Sequence, residues 1–263
     1  MTGTSAPAPW LRGLVAAGCA VCGLTPVAAV AVGLELHDGA NAQVTRYGVG
    51  GDRVLVCLPV AHGEEEGQRA VARGLASLGV EVWTADLLSA RFLPATAGSL
   101  AAIPVEDVVA LVRMAQDQSG KAVFLFADGR AAGPAVRAAT RLQRTAGARP
   151  LAGLILFSPI LYEGEPAPGG MPPYIPETGE LAGAVYILQP ELSAGRWWLP
   201  RLTGEIEGGG GRVVVRVLPG VRDGFYYRED LSAAEQAARP LLSGWLAQGM
   251  DAIDTPATGA DHP

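Results

Sequence analysis

Histidine, cysteine and positive charge are scarce in this sequence. Its 263 residues include three His, three Cys, and 20 Lys and Arg against 26 Asp and Glu, for a net charge of −6. This acidic balance and the lack of any basic run argue against a nucleic-acid partner, because binding a phosphate backbone requires a positive surface. Cys19 and Cys22 have no His or third Cys nearby and make a poor half of a zinc site, so packing is the expected role of both and of Cys57. We expect no metal and no cofactor.

Charge is also missing from a long stretch near the N-terminus. No charged residue occurs from Gly13 to Leu34, directly after Arg12. Small residues two apart follow at Ala29-Val30-Ala31 and Ala40-Asn41-Ala42, as at the cleavage site of an export signal. Three interpretations stay open: a cleaved signal, an uncleaved membrane anchor through residues 13–34, or a lipoprotein signal modified at Cys19. All three predict an exported protein, in the periplasm or at the extracytoplasmic face of the membrane. The alternative is a buried first helix or strand of a cytoplasmic domain.

Beyond this stretch, apolar runs alternate with amphipathic ones. Continuous apolar runs such as "RVLVCLP" (Arg53–Pro59) and "KAVFLFA" (Lys121–Ala127) predict strands buried on both faces. Stretches such as "VEDVVALVRMAQDQSG" place apolar residues at helical spacing and predict helices. In the last helix, Ser232 and Glu235 predict a capping box and Pro240 predicts a kink. Six such strands alternating with helices predict an α/β fold, with a mostly parallel central sheet and helices on both faces.

Length and composition fit one folded domain. A chain that is 49% hydrophobic and 17% charged has ample material for a core. We predict a signal peptide or anchor over residues 1–42, the folded domain over residues 43–248, and a polar tail over residues 249–263. The Pro- and Gly-rich residues 162–182 lack periodicity and predict a long loop or a short lid.

Four stretches of the predicted domain resemble the α/β-hydrolase superfamily in their order along the chain. "VLVCLPVAHGEEEG" resembles the strand and His-Gly loop that supplies an oxyanion-hole amide, and "GVEVWTADLLSARF" resembles the strand that follows. "LFADGRAAG" resembles the nucleophile elbow, and "VRVLPGVRDGFYYRED" resembles the segment that carries the catalytic His. The resemblance covers residues 43–248 and implies an α/β-hydrolase fold.

The same resemblance implies a degenerate catalytic triad. The elbow carries a small residue two positions before and after the nucleophile, and Ala127 and Ala131 in those places put Gly129 at the nucleophile position. Asp223 stands where the family has its His, just ahead of Gly-Phe, and Glu191 after "VYILQP" is the candidate for the acid. Because the nucleophile and the His are both replaced, no intact catalytic site is expected.

The positions of the histidines support this interpretation. The family's triad runs nucleophile, acid, His along the chain, and only His262, in the polar tail, follows the elbow. His62 and Gly63 form the vestigial oxyanion loop. If the elbow is shifted by one residue, Asp128 becomes the nucleophile and His62 its candidate partner, but Arg130 then occupies a position that requires a small residue.

Three functions remain open at this point. The chain is a non-catalytic accessory protein that binds a protein partner at or near a membrane, a hydrolase with unusual chemistry through Asp128, Asp223 and His62, or a small-molecule binding protein that uses the vestigial cleft. Acyl transfer requires a nucleophile and a base to take its proton. The lack of both favours the first and third functions. Trp197-Trp198 and Tyr226-Tyr227 are candidates for the lining of a cleft and equally for interface or packing residues.

Overall fold

An eight-stranded sheet forms the centre of the protein. The computed structural model describes residue 1 and residues 29–61, 66–164, 170 and 173–254. The strands are β1 (Ala29–Glu35), β2 (Asn41–Tyr47), β3 (Arg53–Cys57), β4 (Glu81–Ala85), β5 (Ala122–Asp128), β6 (Gly153–Phe157), β7 (Ala184–Pro190) and β8 (Arg212–Leu218). Their spatial order is β1-β2-β4-β3-β5-β6-β7-β8. Strands β3 to β8 pair in parallel, whereas β2 is antiparallel to both β1 and β4.

Helices cover both faces of the sheet. They are α1 (Glu66–Ser77), α2 (Ala97–Ala101), α3 (Val105–Ser119), α4 (Ala132–Arg144), α5 (Leu199–Gly208), α6 (Ala233–Ala238) and α7 (Leu242–Asp254). One apolar cluster joins the sheet to α3, α4 and α5 through residues such as Leu111, Val136 and Ile206. A second joins the opposite face to α1 and α7 through Leu75 and Leu246. The predicted fold class, a mostly parallel sheet between two layers of helices, is confirmed.

The six predicted strands correspond to β3 to β8, but the hairpin β1-β2 was not predicted. Strand β1 overlaps the end of the uncharged run assigned to a signal or anchor, and only Leu34 of its seven residues is buried. Strand β2 ("NAQVTRY") alternates exposed and buried residues, because it lies near the open edge of the sheet. The sheet therefore begins at Ala29, before the predicted start of the domain.

The folded part of the chain also extends beyond residue 248, the predicted end of the domain. Ser232 and Glu235 form the expected capping box, and a 3-10 turn at Arg239–Leu241, which contains Pro240, separates α6 from α7. Helix α7 continues to Asp254 and buries Met250 and Ile253 against the sheet. The first residues of the predicted polar tail are thus part of the core.

Two sequence-based expectations fall partly outside the described residues. Of the Pro- and Gly-rich stretch 162–182, Tyr162 and Tyr174 pair through an isolated antiparallel bridge and Pro176–Glu180 forms a 3-10 turn; its role as a lid stays a prediction. Most of the N-terminal run falls on residues 2–28, which the structure does not describe. Within the described ranges, no helix is both long and apolar enough to cross a bilayer.

Candidate functional site

A cavity of about 160 Å³ lies at the edge of the sheet where the parallel strands end. In open α/β sheets, ligands bind in the crevice outside the carboxyl ends of the strands. The cavity is lined by Asp128 at the end of β5 and Gly129 after it, by Ser158 after β6, and by Asp223 and Tyr227 from the segment after β8. The structure thus brings together three of the positions that the sequence singled out, namely Asp128, Gly129 and Asp223.

The turn at Gly129 has the backbone of a strand-to-helix elbow. Gly129 follows the last residue of β5 and opens a 3-10 turn that leads into α4. Its φ is +54°, the left-handed region that residues with a Cβ rarely adopt. A Cβ built at this position would meet no atom within 4 Å. The backbone conformation expected for Gly129 is confirmed, and Gly129 places no side chain in the open space beside it.

Asp128, next to the elbow, is a buried carboxyl group. It is 8% exposed, and the Tyr226 hydroxyl donates a hydrogen bond to its Oδ2 at 2.6 Å. Burial, reinforced by the charge of Asp223, raises the pKa of Asp128 to about 7, and the hydrogen bond from Tyr226 offsets only part of this effect. Burial and the charge of Asp128 also raise the pKa of Tyr226 well above its usual value, so the phenol keeps its proton. Asp128 therefore gains and loses a proton near neutral pH.

Asp223 lies at the rim of the cavity and is bound by a serine that the sequence did not point to. The Ser158 hydroxyl donates a short hydrogen bond to Asp223 Oδ1 and lies 3.2 Å from the hydroxyl of Ser193. Ser158 is 6% exposed and has a φ of +42°, an uncommon conformation for a residue with a Cβ. Such strain is typical of functional sites. Its only signal in the sequence is a polar residue directly after an apolar run.

Glu191, the candidate for the catalytic acid, does not reach the cavity. It is exposed and accepts a hydrogen bond from the backbone N–H of Gly220 at 2.9 Å. Ser193 is the residue of this turn whose side chain is buried. The residue predicted as the acid therefore lies on the surface, where the Gly220 N–H binds its side chain.

The predicted oxyanion loop is only partly described. His62 and Gly63 lie outside the described residues, whereas Ala61, just before them, lines the cavity. His37 lies elsewhere, with its Nδ1 3.0 Å from Asp107 Oδ1. Among the residues that the structure describes, no three His, Cys, Asp or Glu side chains converge as metal ligands would.

The two aromatic pairs have different positions. Tyr227 lines the cavity, and Tyr226 packs beneath it with ring centroids 4.8 Å apart. Tyr226 also packs edge-on against Phe157 of β6, at 5.4 Å between centroids. Trp197 is 81% exposed in a short 3-10 turn and is not part of the cavity lining. Of the two pairs, the tyrosine pair reaches the cavity, through Tyr227.

Comparison with solved structures identifies the architecture, whereas no family model and no curated protein matches the sequence. Carboxyl esterase 2 of the fungus Tuber melanosporum superposes with a TM-score of 0.64 at 12% identity, covering 87% of this chain and 88% of that one. An esterase of the bacterial hormone-sensitive lipase family gives 0.61 at 16% identity, covering 85% of each chain. A thermostable carboxylesterase from a metagenomic library gives 0.61 at 17% identity, covering 86% of this chain and 90% of that one. Since these identities are low, the likeness concerns the fold, and this chain has the fold of the α/β-hydrolases.

Proposed function

We propose that this chain is a non-catalytic accessory protein that binds a ligand in the cavity where α/β-hydrolases carry out their chemistry. The observation that supports this most directly is the elbow at Gly129, which keeps the left-handed backbone but carries no side chain. Acyl transfer through this turn needs a hydroxyl or thiol at that place. A polar cavity whose elbow carries no nucleophile is suited to binding.

The group at the position of the family's His leads to the same proposal. A base must accept the proton of the nucleophile and return it to the leaving group. Asp223 occupies that position, and its Oδ1 is already bound by the Ser158 hydroxyl. A carboxylate is a weaker base than an imidazole for activating a hydroxyl, because its reference pKa lies further below neutral pH.

An activity assay tests this proposal. The purified wild-type protein is incubated with short p-nitrophenyl esters and, separately, with a fluorophosphonate probe that labels activated serines. We expect no turnover above the buffer rate and no labelling. Turnover that disappears in the Asp128→Asn variant would refute the proposal.

Hydrolysis by unusual residues is the second candidate, and one observation favours it. The pKa of Asp128, raised to about 7 by burial, is suited to general acid–base work at neutral pH. In this alternative Asp128 acts with His62. The activity would then fall in both Asp128→Asn and His62→Ala, and would follow the ionisation of Asp128 between about pH 6 and pH 8.

The accessory role includes a protein partner at or near a membrane, and the proposed location is outside the cytoplasm. Both rest on the uncharged run from Gly13 to Leu34. A pull-down from native membranes with the full-length chain as bait tests both together. A partner recovered in the membrane fraction, and lost when residues 1–28 are deleted, is the expected result; recovery only from cytosol would count against the location.

A further inference from the structure

We infer that the ligand of the cavity is a small organic cation, an ammonium group on a short alkyl chain. This inference rests on the proposed ligand-binding function and names the chemical class of the ligand. It follows from how the two carboxyl groups of the cavity are placed, what already binds them, and which surfaces complete the walls.

The two carboxyl groups lie at different depths of the cavity, and each has one oxygen already bound. Asp128 lies at the buried end, where the Tyr226 hydroxyl binds its Oδ2. Asp223 lies at the exposed rim, where the Ser158 hydroxyl binds its Oδ1. Within the described part of the chain, no side chain or backbone group donates to Asp128 Oδ1 or Asp223 Oδ2. Both carboxyl groups therefore keep an acceptor for an incoming donor.

Arg130 also lines the cavity, but its guanidinium group binds Tyr162 and not the two carboxyl groups. The Arg130 guanidinium donates from Nη1 to the Tyr162 carbonyl at 3.3 Å and stacks over the Tyr162 ring at 5.1 Å. No ion pair joins a described residue to Asp128 or Asp223. An ionised Asp128 without a positive partner is costly, because burial removes its hydration, and either a bound proton or a positive ligand removes this cost.

An ammonium group answers this need better than other ligands. It supplies N–H donors to the free oxygens and neutralises the charge of an ionised Asp128, which gives a charge-assisted hydrogen bond. An anion would meet two groups of its own sign, and a neutral alcohol would donate only one hydrogen bond. The ring of Tyr227, which lines the cavity, adds a π face that attracts cations.

The rest of the wall is apolar and the space is small. Leu100 and Ile160 line the cavity together with Ala97. Its volume of about 160 Å³ is below the range of roughly 300–1,000 Å³ typical of sites for drug-sized ligands. The walls therefore suit a short alkyl chain next to the ammonium group better than a peptide or a large acyl ester.

Isothermal titration with three matched probes tests the inference. n-Butylammonium, 1-butanol and butyrate share one chain and differ in charge, and each is titrated at constant ionic strength near pH 8, where Asp128 is mostly ionised. We expect n-butylammonium to bind at least about tenfold more tightly than either of the others. Asp128→Asn should weaken n-butylammonium binding by about tenfold and leave 1-butanol unchanged. Asp52→Asn, which removes a charge from a 94% exposed side chain outside the cavity lining, is the matched control and should bind as wild type.

The outcomes separate this inference from the proposed function. Equal or stronger binding of 1-butanol or butyrate would overturn the cationic class while a ligand-binding cavity stands. Binding of n-butylammonium that survives both Asp128→Asn and Asp223→Asn would place the ligand elsewhere and overturn the site. No binding by any probe would also overturn the inference. Ester turnover in the separate activity assay would overturn the non-catalytic function, whatever the titrations give.

Discussion

Replacing Asp128 with Asn should change how the stability of the protein depends on pH. The wild-type carboxyl group is buried, and its pKa is raised from 3.8 to about 7, first by burial and then by the charge of Asp223. A raised folded-state pKa means that the protonated form favours the folded state. The contribution to stability is full below pH 3.8 and is lost as pH rises through about 7. Asn is neutral throughout and can still accept the hydrogen bond from Tyr226.

The size of the effect follows from the two pKa values. Proton linkage with an unfolded pKa of 3.8 and a folded pKa of about 7 lowers the free energy of unfolding by about 2 to 3 kcal/mol between pH 5 and pH 8. Other groups titrate in the same range, so the wild type alone does not isolate Asp128. The difference in pH dependence between the wild type and Asp128→Asn isolates the contribution of Asp128, because both proteins share all other titrating groups.

Urea denaturation followed by tryptophan fluorescence measures this difference at the two pH values. From pH 5 to pH 8, the free energy of unfolding should fall by about 2 to 3 kcal/mol less in Asp128→Asn than in the wild type. Asp52→Asn removes the same charge from an exposed side chain and should follow the wild type. If Asp128→Asn kept the wild-type pH dependence, burial would not raise the pKa of Asp128, and the reasoning about this carboxyl group would be refuted.

Three further predictions concern the elbow and the N-terminus. Gly129→Ala should destabilise the fold by about 1 kcal/mol, because a Cβ at φ +54° is strained although the space is open; Gly133→Ala in α4, also in open space, should be neutral or stabilising, and equal effects of the two in urea denaturation would contradict the elbow. Gly129→Ser alone should stay inactive on p-nitrophenyl esters, whereas Gly129→Ser with Asp223→His should gain weak turnover, since triad residues act as a unit; turnover by the single variant would speak against a missing base. Cell fractionation should find the protein in or beyond the cytoplasmic membrane, and full-length chain free in the cytoplasm with Met1 intact would contradict export.

The resemblance to the α/β-hydrolases, together with the spacing of small residues, located the elbow in the sequence. Ala127 and Ala131 flank Gly129 at fixed intervals, and this local pattern predicts a local turn with a positive φ. Chain order likewise placed Asp223 at the cavity, because the segment between the last strand and the last helix returns to the ends of the parallel strands. Apolar runs and helical spacing, which are also local patterns, predicted strands β3 to β8 and the main helices.

Other parts of the site depend on contacts between distant segments. Tyr226 and Asp128 are 98 residues apart, and Ser158 and Asp223 are 65 apart, so no local pattern records either pair. Glu191 was chosen as the nearest acid after an apolar run, yet its side chain turns to the Gly220 N–H on the surface. Which side chain of a turn faces the cavity is decided by backbone angles that the residue types alone do not fix.

If the chain is exported and cleaved as proposed, the position of the cut decides how much of strand β1 remains in the sheet. The first small-residue site, Ala29-Val30-Ala31, lies inside β1, so a cut after Ala31 leaves Val32 to Glu35 to cover β2. A cut after Ala42 removes all of β1, and the remaining residues of β2 become the edge of the sheet. An uncovered edge presents free N–H and C=O groups that accept a strand from another chain. A mature form beginning at Gln43 would therefore be open to strand addition and self-association, whereas one beginning at Val32 keeps its edge covered.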